Sequence, residues 1–154
     1  MSNFDEPVHF KAGQVIFVEG EKPAYLYIVV SGEVRVFKED GKTLLPINLL
    51  GAKDFIGELS MFDDQPRSAT AIASKDSKIM LVKRSDIRKV LKDCPEWVTN
   101  IMVTISDRLR DTIDMMRDHR IIDDFQNDGG ELKAEEVKKY MSSIKEYRAR
   151  RGLN

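Results

Sequence analysis

The residues best suited to chemistry lie between positions 55 and 70, in the stretch FIGELSMFDDQPRSAT. Gly57 has no side chain, so a ligand can approach the backbone there, and N–H groups at the start of a helical turn can donate to an anion. Arg67 carries a planar guanidinium that can bind two phosphate oxygens at once. Ser68 adds a hydroxyl and an N–H, and Ala69 keeps the following strand slim. These residues predict a shallow site for a phosphodiester.

Glu58 gives this anion site a second chemical function. A carboxylate repels a phosphate, but it accepts a hydrogen bond from a sugar hydroxyl. We therefore assign Glu58 to a ribose 2′-OH and predict a phosphorylated ribose as the ligand. A Gly-Glu pair or an arginine after a proline turn is common on ordinary loops, so the prediction depends on the combination of residues.

Two short segments, Gly57-Glu58-Leu59 and Pro66-Arg67-Ser68-Ala69, resemble the phosphate-binding cassette of the cyclic-nucleotide-binding domain family. Ile56 and Ser60 depart from the usual pattern in a way that is similar to the catabolite activator branch of that family. The resemblance spans residues 8 to 120. It implies that phosphate and ribose are bound by Gly57, Glu58, Leu59, Ser60, Arg67, Ser68 and Ala69, and that purine and sugar pack on Val36, Ile47, Asn48 and Leu50.

Thr112 is a further candidate that comes from the resemblance. Alignment along the long helix that follows Pro95 places Thr112 where a hydroxyl contacts the adenine amino group in the catabolite activator branch. The competing interpretation is an ordinary threonine on a helix surface, and both interpretations stay open. Ile113 stands where that branch has a serine, which leaves a contact from a partner subunit open as well.

Composition limits the class of protein. With 154 residues, 42% of them hydrophobic, the chain can bury one core and carry an appendage. The formal net charge of −1 lacks the basic excess of a dedicated nucleic-acid binder. One cysteine, Cys94, excludes an internal disulfide, and neither a signal-peptide pattern nor a membrane span is present in the sequence. We expect a cytoplasmic protein.

Short runs rich in β-branched and aromatic residues, separated by glycine turns, predict an antiparallel β jelly roll. Asp40-Gly41 is the clearest hairpin turn. The predicted fold is mainly β with helices, in which the jelly roll is followed by a long helix and a further tail helix. The expected strands are 15–18, 25–30, 34–37, 43–45, 47–50, 69–73 and 78–82.

Two helices are predicted after the strands. Ser85 is placed to cap the first, and Pro95 lies in the first turn of the second, longer helix. The longer helix carries an apolar stripe at three- and four-residue steps, which either packs on its own domain or meets a second copy in a homodimer, as the resemblance implies. The stripe consists of Met102, Ile105, Leu109, Ile113 and Met116.

The composition changes near residue 123, so we predict a cyclic-nucleotide-binding domain over 1–122 and a turn plus amphipathic helix over 123–154. The tail is too short for a helix-turn-helix domain, and we expect no direct DNA binding. Residues 124–135 superficially fit a calcium loop, but Gln126 and Glu131 are poor residues for it. The end Arg150-Arg151-Gly152-Leu153 faintly resembles a kinase pseudosubstrate, although an arginine-rich helix end is the favoured interpretation.

Catalysis is not expected. His9 and His119 are the only histidines and lie far apart in sequence, which argues against a metalloenzyme of the jelly-roll class. Cys94 is best explained as a bystander at a helix start. The sequence predicts a sensor of a cyclic purine mononucleotide, cAMP before cGMP, with no other cofactor or metal, that signals to a protein partner. The alternative is a structural scaffold that has lost the ligand, against which Glu58 and Arg67 argue.

Overall fold

The computed structural model describes residues 6–119 and 132–153. The turn expected at 127–130 and most of the calcium-loop candidate at 124–135 lie outside the described residues. Within them, eight strands and four helices follow one another along the chain. They are β1 (Val8–Phe10), β2 (Val15–Phe17), β3 (Tyr25–Ser31), β4 (Val34–Asp40), β5 (Thr43–Leu50), β6 (Phe55–Ile56), α1 (Leu59–Phe62), β7 (Thr70–Ala73), β8 (Ser77–Lys83), α2 (Arg84–Lys92), α3 (Glu96–His119) and α4 (Ala134–Arg151).

The strands form two four-stranded antiparallel sheets, which confirms the predicted jelly roll. The first sheet has the order β1-β8-β3-β6, and the second has the order β2-β7-β4-β5. Strands that are neighbours in a sheet are distant in sequence, except for the β4–β5 hairpin. Its turn is the predicted one, since Asp40 pairs with Thr43 and Gly41 takes a positive φ of 61°.

The prediction of separate strands at 43–45 and 47–50 was wrong, because both belong to β5. Phe37 pairs with Pro46 and Val36 pairs with Asn48, so Ile47 is an extra residue in a bulge. The proline is tolerated because β5 is an edge strand of the second sheet. The bulge lies beside residues that the sequence assigned to the purine site.

Two apolar clusters form most of the core of the described residues. The first lies between the two sheets and includes Phe17, Tyr27 and Ile79. The second lies between the opposite face of the second sheet and α4, and it joins Phe37 and Ile72 of the sheet to the helix. The second sheet is therefore covered on both faces, which explains why every residue of β2 and β7 is buried.

The helix boundaries differ slightly from expectation. Helix α2 starts at Arg84 after Lys83, so Ser85 lies in the first turn and does not cap it. Helix α3 starts at Glu96, so Pro95 directly precedes the first turn in which the sequence placed it. Helix α4 starts at Ala134, and the backbone N–H of Lys133 just before it donates to the Glu136 carboxylate at 3.2 Å.

Helix α4 is held to the jelly roll by buried side chains and by polar contacts. Tyr140, Ile144 and Tyr147 are 8%, 2% and 5% exposed. The Tyr147 hydroxyl donates to the Glu21 carboxylate at 3.0 Å, and Arg148 forms an ion pair with Glu39 at 2.7 Å. Among the described residues, no helix has both the length and the apolar character needed to cross a membrane.

Candidate phosphate and sugar site

A cavity of about 260 Å³ opens between the second sheet, the segment from β6 to β7, and α3. Its size is close to the lower end of typical small-molecule pockets, which is roughly 300 Å³. The structure brings ten of the eleven predicted site residues to its wall. They are Gly57, Glu58, Leu59, Ser60, Arg67, Ser68, Ala69, Val36, Ile47 and Asn48.

Arg67 is the charged centre of this cavity, and it is only 3% exposed. Its Nη1 donates to the Gly57 carbonyl at 3.0 Å, and its Nη2 donates to the Tyr25 carbonyl. The guanidinium carbon lies 4.4 Å from the centre of the Phe17 ring and 5.5 Å from that of Tyr27. Two carbonyls and two aromatic rings therefore fix the orientation of the guanidinium.

No carboxylate forms an ion pair with Arg67 within residues 6–119 and 132–153. Its Nε is buried and has no hydrogen-bond partner there. Burial lowers the pKa of Arg67 from its ordinary value, and the nearby Tyr27 and Glu21 side chains oppose that change. Burying a cation with an unpaired hydrogen-bond donor costs free energy unless an anion pairs with it. The site is therefore built to receive a negative group.

Gly57 is required by the packing of Arg67. Its φ is +81°, and a Cβ at this position would lie 2.2 Å from Arg67 Nη1. The sequence predicted a close approach of ligand at Gly57. In the structure the close neighbour is the guanidinium itself, so the glycine makes room for the arginine.

Glu58 is the N-cap residue of the short helix α1 and is exposed at the cavity wall. Its carboxylate makes no hydrogen bond or ion pair with any other described residue. A free carboxylate beside the Arg67 cavity is suited to accept hydrogen bonds from hydroxyl groups. Ser60, in the first turn of α1, is 1% exposed and also lines the cavity.

The opposite wall is mostly apolar. Val36, Ile47 and Leu50 come from β4 and β5, at and beside the bulge. Asn48 adds an amide whose Oδ1 accepts a hydrogen bond from the Leu49 N–H at 2.9 Å, which leaves the amide NH₂ as the free donor. This wall can pack against a flat heterocycle and offers one donor.

Helix α3 closes the cavity through Leu109 and Ile113, which are one turn apart. Thr112 is not among the lining residues; it is exposed, and its hydroxyl donates to the Arg108 carbonyl at 2.8 Å. Thr112 is therefore the one predicted site residue that the structure leaves outside the cavity. A hydroxyl bonded to the carbonyl four residues earlier is typical of a threonine on a helix surface.

Sequence reasoning did not assign five of the lining residues to the site, one of which is Ile56 of β6. Leu109 and Ile113 were recognised only as members of an apolar stripe, and their four-residue spacing was the available signal. Phe17 and Phe55 come from β2 and β6, and nothing local in the sequence distinguishes them from core residues. Among the residues that the structure describes, no group of three or more His, Cys, Asp or Glu side chains is placed to hold a metal ion.

Comparison with known proteins identifies the family of this chain. The family model for the cyclic nucleotide-binding domain matches residues 7–94, more than half of the 154 residues. A CRP-like cAMP-activated global transcriptional regulator of Mycobacterium tuberculosis is 33% identical over 115 residues, which cover 73% of this chain and 51% of that protein. The cyclic AMP receptor protein of Thermus thermophilus is 32% identical over 103 residues, which cover 66% and 48%.

A solved structure is also similar. The EAL enzyme Bd1971 in its cAMP-bound form superposes with a TM-score of 0.68 at 27% identity, over 79% of this chain and 34% of that chain. The chain spans only about half the length of the curated relatives named here. The matched region includes both sheets and the whole Arg67 cavity except its α3 wall. This chain belongs to the cyclic nucleotide-binding domain family.

Proposed function

We propose that this protein is a sensor that binds a cyclic purine mononucleotide, most strongly cAMP, and relays binding to a protein partner through its C-terminal helices. Arg67 and the backbone at Gly57, Leu59 and Ser68 hold the phosphate, and Glu58 holds the ribose. The observation that carries the proposal is the buried Arg67 guanidinium at the cavity wall, which has no carboxylate partner among the described residues and whose buried Nε has no hydrogen-bond partner there.

The charges of the two polar groups support a cyclic phosphate joined to a sugar. A phosphodiester anion offsets the buried charge of Arg67 and accepts its unused donor. The free Glu58 carboxylate on the same wall needs a hydroxyl group as its donor. One ligand that carries both groups a few ångströms apart is a ribose phosphate.

The choice of cAMP has two supports. The apolar wall formed by Val36, Ile47, Leu50 and Ile113 is suited to a purine ring. The names of the Mycobacterium tuberculosis and Thermus thermophilus relatives specify cAMP. The Asn48 amide can donate to either purine, so cGMP belongs in the same test.

The other parts of the proposal concern the role of the chain. Its matches to regulators support a binding role without catalysis. A cytoplasmic location is supported by the single cysteine, since disulfides are typical of oxidising compartments. We also retain Thr112 as a ligand contact that requires α3 to rotate or a second copy to approach.

A homodimer through α3 is part of the same proposal. Trp97, Ile101 and Ile105 lie four residues apart and are 64%, 49% and 50% exposed. Such a contiguous apolar stripe on a helix is typical of an interface.

We expect Ile105→Glu to convert dimers to monomers in analytical ultracentrifugation, whereas Asp107→Lys, an exposed change off the stripe, leaves the mass unchanged. A monomeric wild-type protein at high concentration would contradict this prediction.

The function is tested by isothermal titration calorimetry with cAMP, cGMP and 5′-AMP. We expect cAMP to bind most tightly and 5′-AMP, which lacks the cyclic phosphodiester, to bind most weakly. Glu58→Gln should weaken cAMP binding by about 1.5–3 kcal/mol, the usual contribution of a hydrogen bond to a charged group. If neither cyclic nucleotide binds the wild-type protein, the scaffold alternative replaces this proposal.

A further inference from the structure

Arg110 of α3 makes more contacts with the candidate site than its position on a helix surface suggests. Its Nε and Nη2 bind the two carboxylate oxygens of Asp63 at 2.7 and 3.0 Å. Nη2 also donates to Ser60 Oγ at 3.2 Å, and Nη1 donates to the Pro66 carbonyl at 2.9 Å. The Arg110 and Asp63 side chains are only 13% and 5% exposed.

These three partners lie within the phosphate cassette, which comprises residues 57–69. Ser60 lies in the first turn of α1, Asp63 is the residue that ends α1, and Pro66 directly precedes Arg67. The rigid guanidinium of Arg110 therefore sets the distance between α1 and Arg67, the residue proposed to bind the phosphate. A planar fork that forms several hydrogen bonds at once fixes geometry in a way that a lysine cannot.

A second contact connects α3 with the cassette, one helical turn after Arg110. The buried Lys38 of β4 donates to the Ser68 carbonyl at 2.8 Å and pairs with Asp114 of α3 at 3.1 Å. Lys38 also pairs with Glu19 at 2.9 Å. The carbonyl of Ser68 belongs to the cassette, so Lys38 connects the cassette with α3.

The positions of these residues on α3 connect them with the cavity. Arg110 and Asp114 are the chain neighbours of Leu109 and Ile113, the two α3 residues at the cavity wall. A movement of the cassette on binding an anion would pull on the Arg110 and Asp114 contacts. The same movement would shift the apolar closure of the cavity.

We propose that Arg110 is a positioning residue that shapes the phosphate cassette from α3, with the Lys38–Asp114 pair as a second tie. The position of α3 and the affinity for the cyclic nucleotide are then linked, and linkage acts equally in both directions. This inference rests on the proposed function and adds the residues by which binding is communicated. Arg110 needs no contact with the nucleotide to act in this way.

Trp97 provides the readout, since it is the only tryptophan and lies exposed in the first turn of α3. We expect cAMP to change its fluorescence emission in the wild-type protein. Arg110→Lys keeps the charge but loses the fork, and should weaken cAMP binding between about 5-fold and 150-fold, the usual range of coupling between sites. At saturating cAMP its Trp97 emission change should be reduced or lost.

The controls separate positioning from simple stabilisation. Arg108→Lys, an exposed change on the same helix, should behave as wild type. Asp63→Asn should reproduce the effect of Arg110→Lys, and the double variant should lose less than the sum of the two single effects, because the residues act as one pair. Asp114→Asn, at a side chain that is 49% exposed, removes the second tie with little risk to folding and should change affinity in the same direction.

Several results would overturn the inference. If the wild-type protein binds cAMP without any change in Trp97 emission, α3 is not linked to the cassette. The same conclusion follows if Arg110→Lys and Asp114→Asn both keep the wild-type affinity and the full Trp97 response. In either case the proposed function stands. A full Trp97 response at saturating cAMP in a destabilised Arg110→Lys protein assigns Arg110 a structural role only. Absence of cAMP and cGMP binding in the wild-type protein removes the proposed function, and this inference with it.

Discussion

Replacing Arg67 with alanine is expected to weaken cAMP binding by about 2–5 kcal/mol, which is about 30-fold to several thousandfold in affinity. The size of the effect follows from burial. Arg67 is 3% exposed, so its attraction to a phosphate is weakly screened by water, and its loss leaves the bound anion without a cation. Calorimetry with cAMP measures the affinity directly.

Loss of folding must be distinguished from loss of binding in this variant. Arg67→Ala also removes the donors to the Gly57 and Tyr25 carbonyls, which costs about 1–3 kcal/mol of stability for each buried acceptor left unpaired. Arg67→Lys keeps the charge and should retain part of the affinity. Arg88→Ala changes an arginine that is 52% exposed and should bind as wild type.

Thermal unfolding provides a second test of the same variant. A ligand at 100 times its dissociation constant stabilises the folded state by about 2.7 kcal/mol. The wild-type protein should therefore unfold at a higher temperature when cAMP is added, and folded Arg67→Ala should not. An Arg67→Ala protein that keeps wild-type affinity would contradict the assignment of the phosphate site.

Removal of α4 is expected to have the largest effect on stability. Ending the chain after residue 131 removes Tyr140, Ile144 and Tyr147, each of which stabilises the fold by about 1.5–3 kcal/mol through burial. Together this is roughly 5–9 kcal/mol, comparable with the whole stability of a typical domain, about 5–15 kcal/mol. The truncated protein should be unfolded or aggregate, as circular dichroism and size-exclusion chromatography would show.

Point variants make this prediction quantitative. Ile144→Ala should lower the free energy of unfolding by about 2–5 kcal/mol, because Ile144 is 2% exposed and packs against the second sheet. Lys145→Ala, at the next and exposed position, should change it by less than about 0.5 kcal/mol. A truncated chain with a wild-type unfolding midpoint would show that residues 123–154 form a separate unit, as the division at residue 122 predicts.

The docked position of α4 bears on how a signal leaves the domain. Glu21 accepts from the Tyr147 hydroxyl at 3.0 Å, and the carbonyl of Glu21 accepts from the backbone N–H of Arg67 at 2.9 Å. Glu21, which anchors α4, is therefore hydrogen-bonded directly to the backbone of Arg67, the residue proposed to bind the phosphate. A relay to a partner through α4 has a short physical route.

Local sequence was sufficient for the parts of the molecule that depend on neighbouring residues. Glycine turns and β-branched runs predicted most of the strands, because alternation and turn chemistry act over a few residues. The resemblance of Gly57-Glu58-Leu59 and Pro66-Arg67-Ser68-Ala69 to a known cassette identified most of the cavity wall. The strands β1 and β6 were missed because neither lies in a continuous apolar run like the one from Val15 to Val18 that indicated the equally short β2.

Only the tertiary structure decided how these parts meet. The inward orientation of Arg67 depends on Tyr25, 42 residues away, and on the ring of Phe17 from another strand. The contact of Arg110 with Asp63 joins residues 47 positions apart, and that of Tyr147 with Glu21 joins residues 126 apart. The sequence by itself determined which residues carry the chemistry of the proposed sugar-phosphate site, because side-chain chemistry is local. Packing of distant elements decided which donors stay unpaired and where the tail helix lies. It also decided that Leu109 and Ile113, rather than Thr112, close the cavity. Burial and charge pairing could not be predicted from the sequence, because they exist only once the chain has folded.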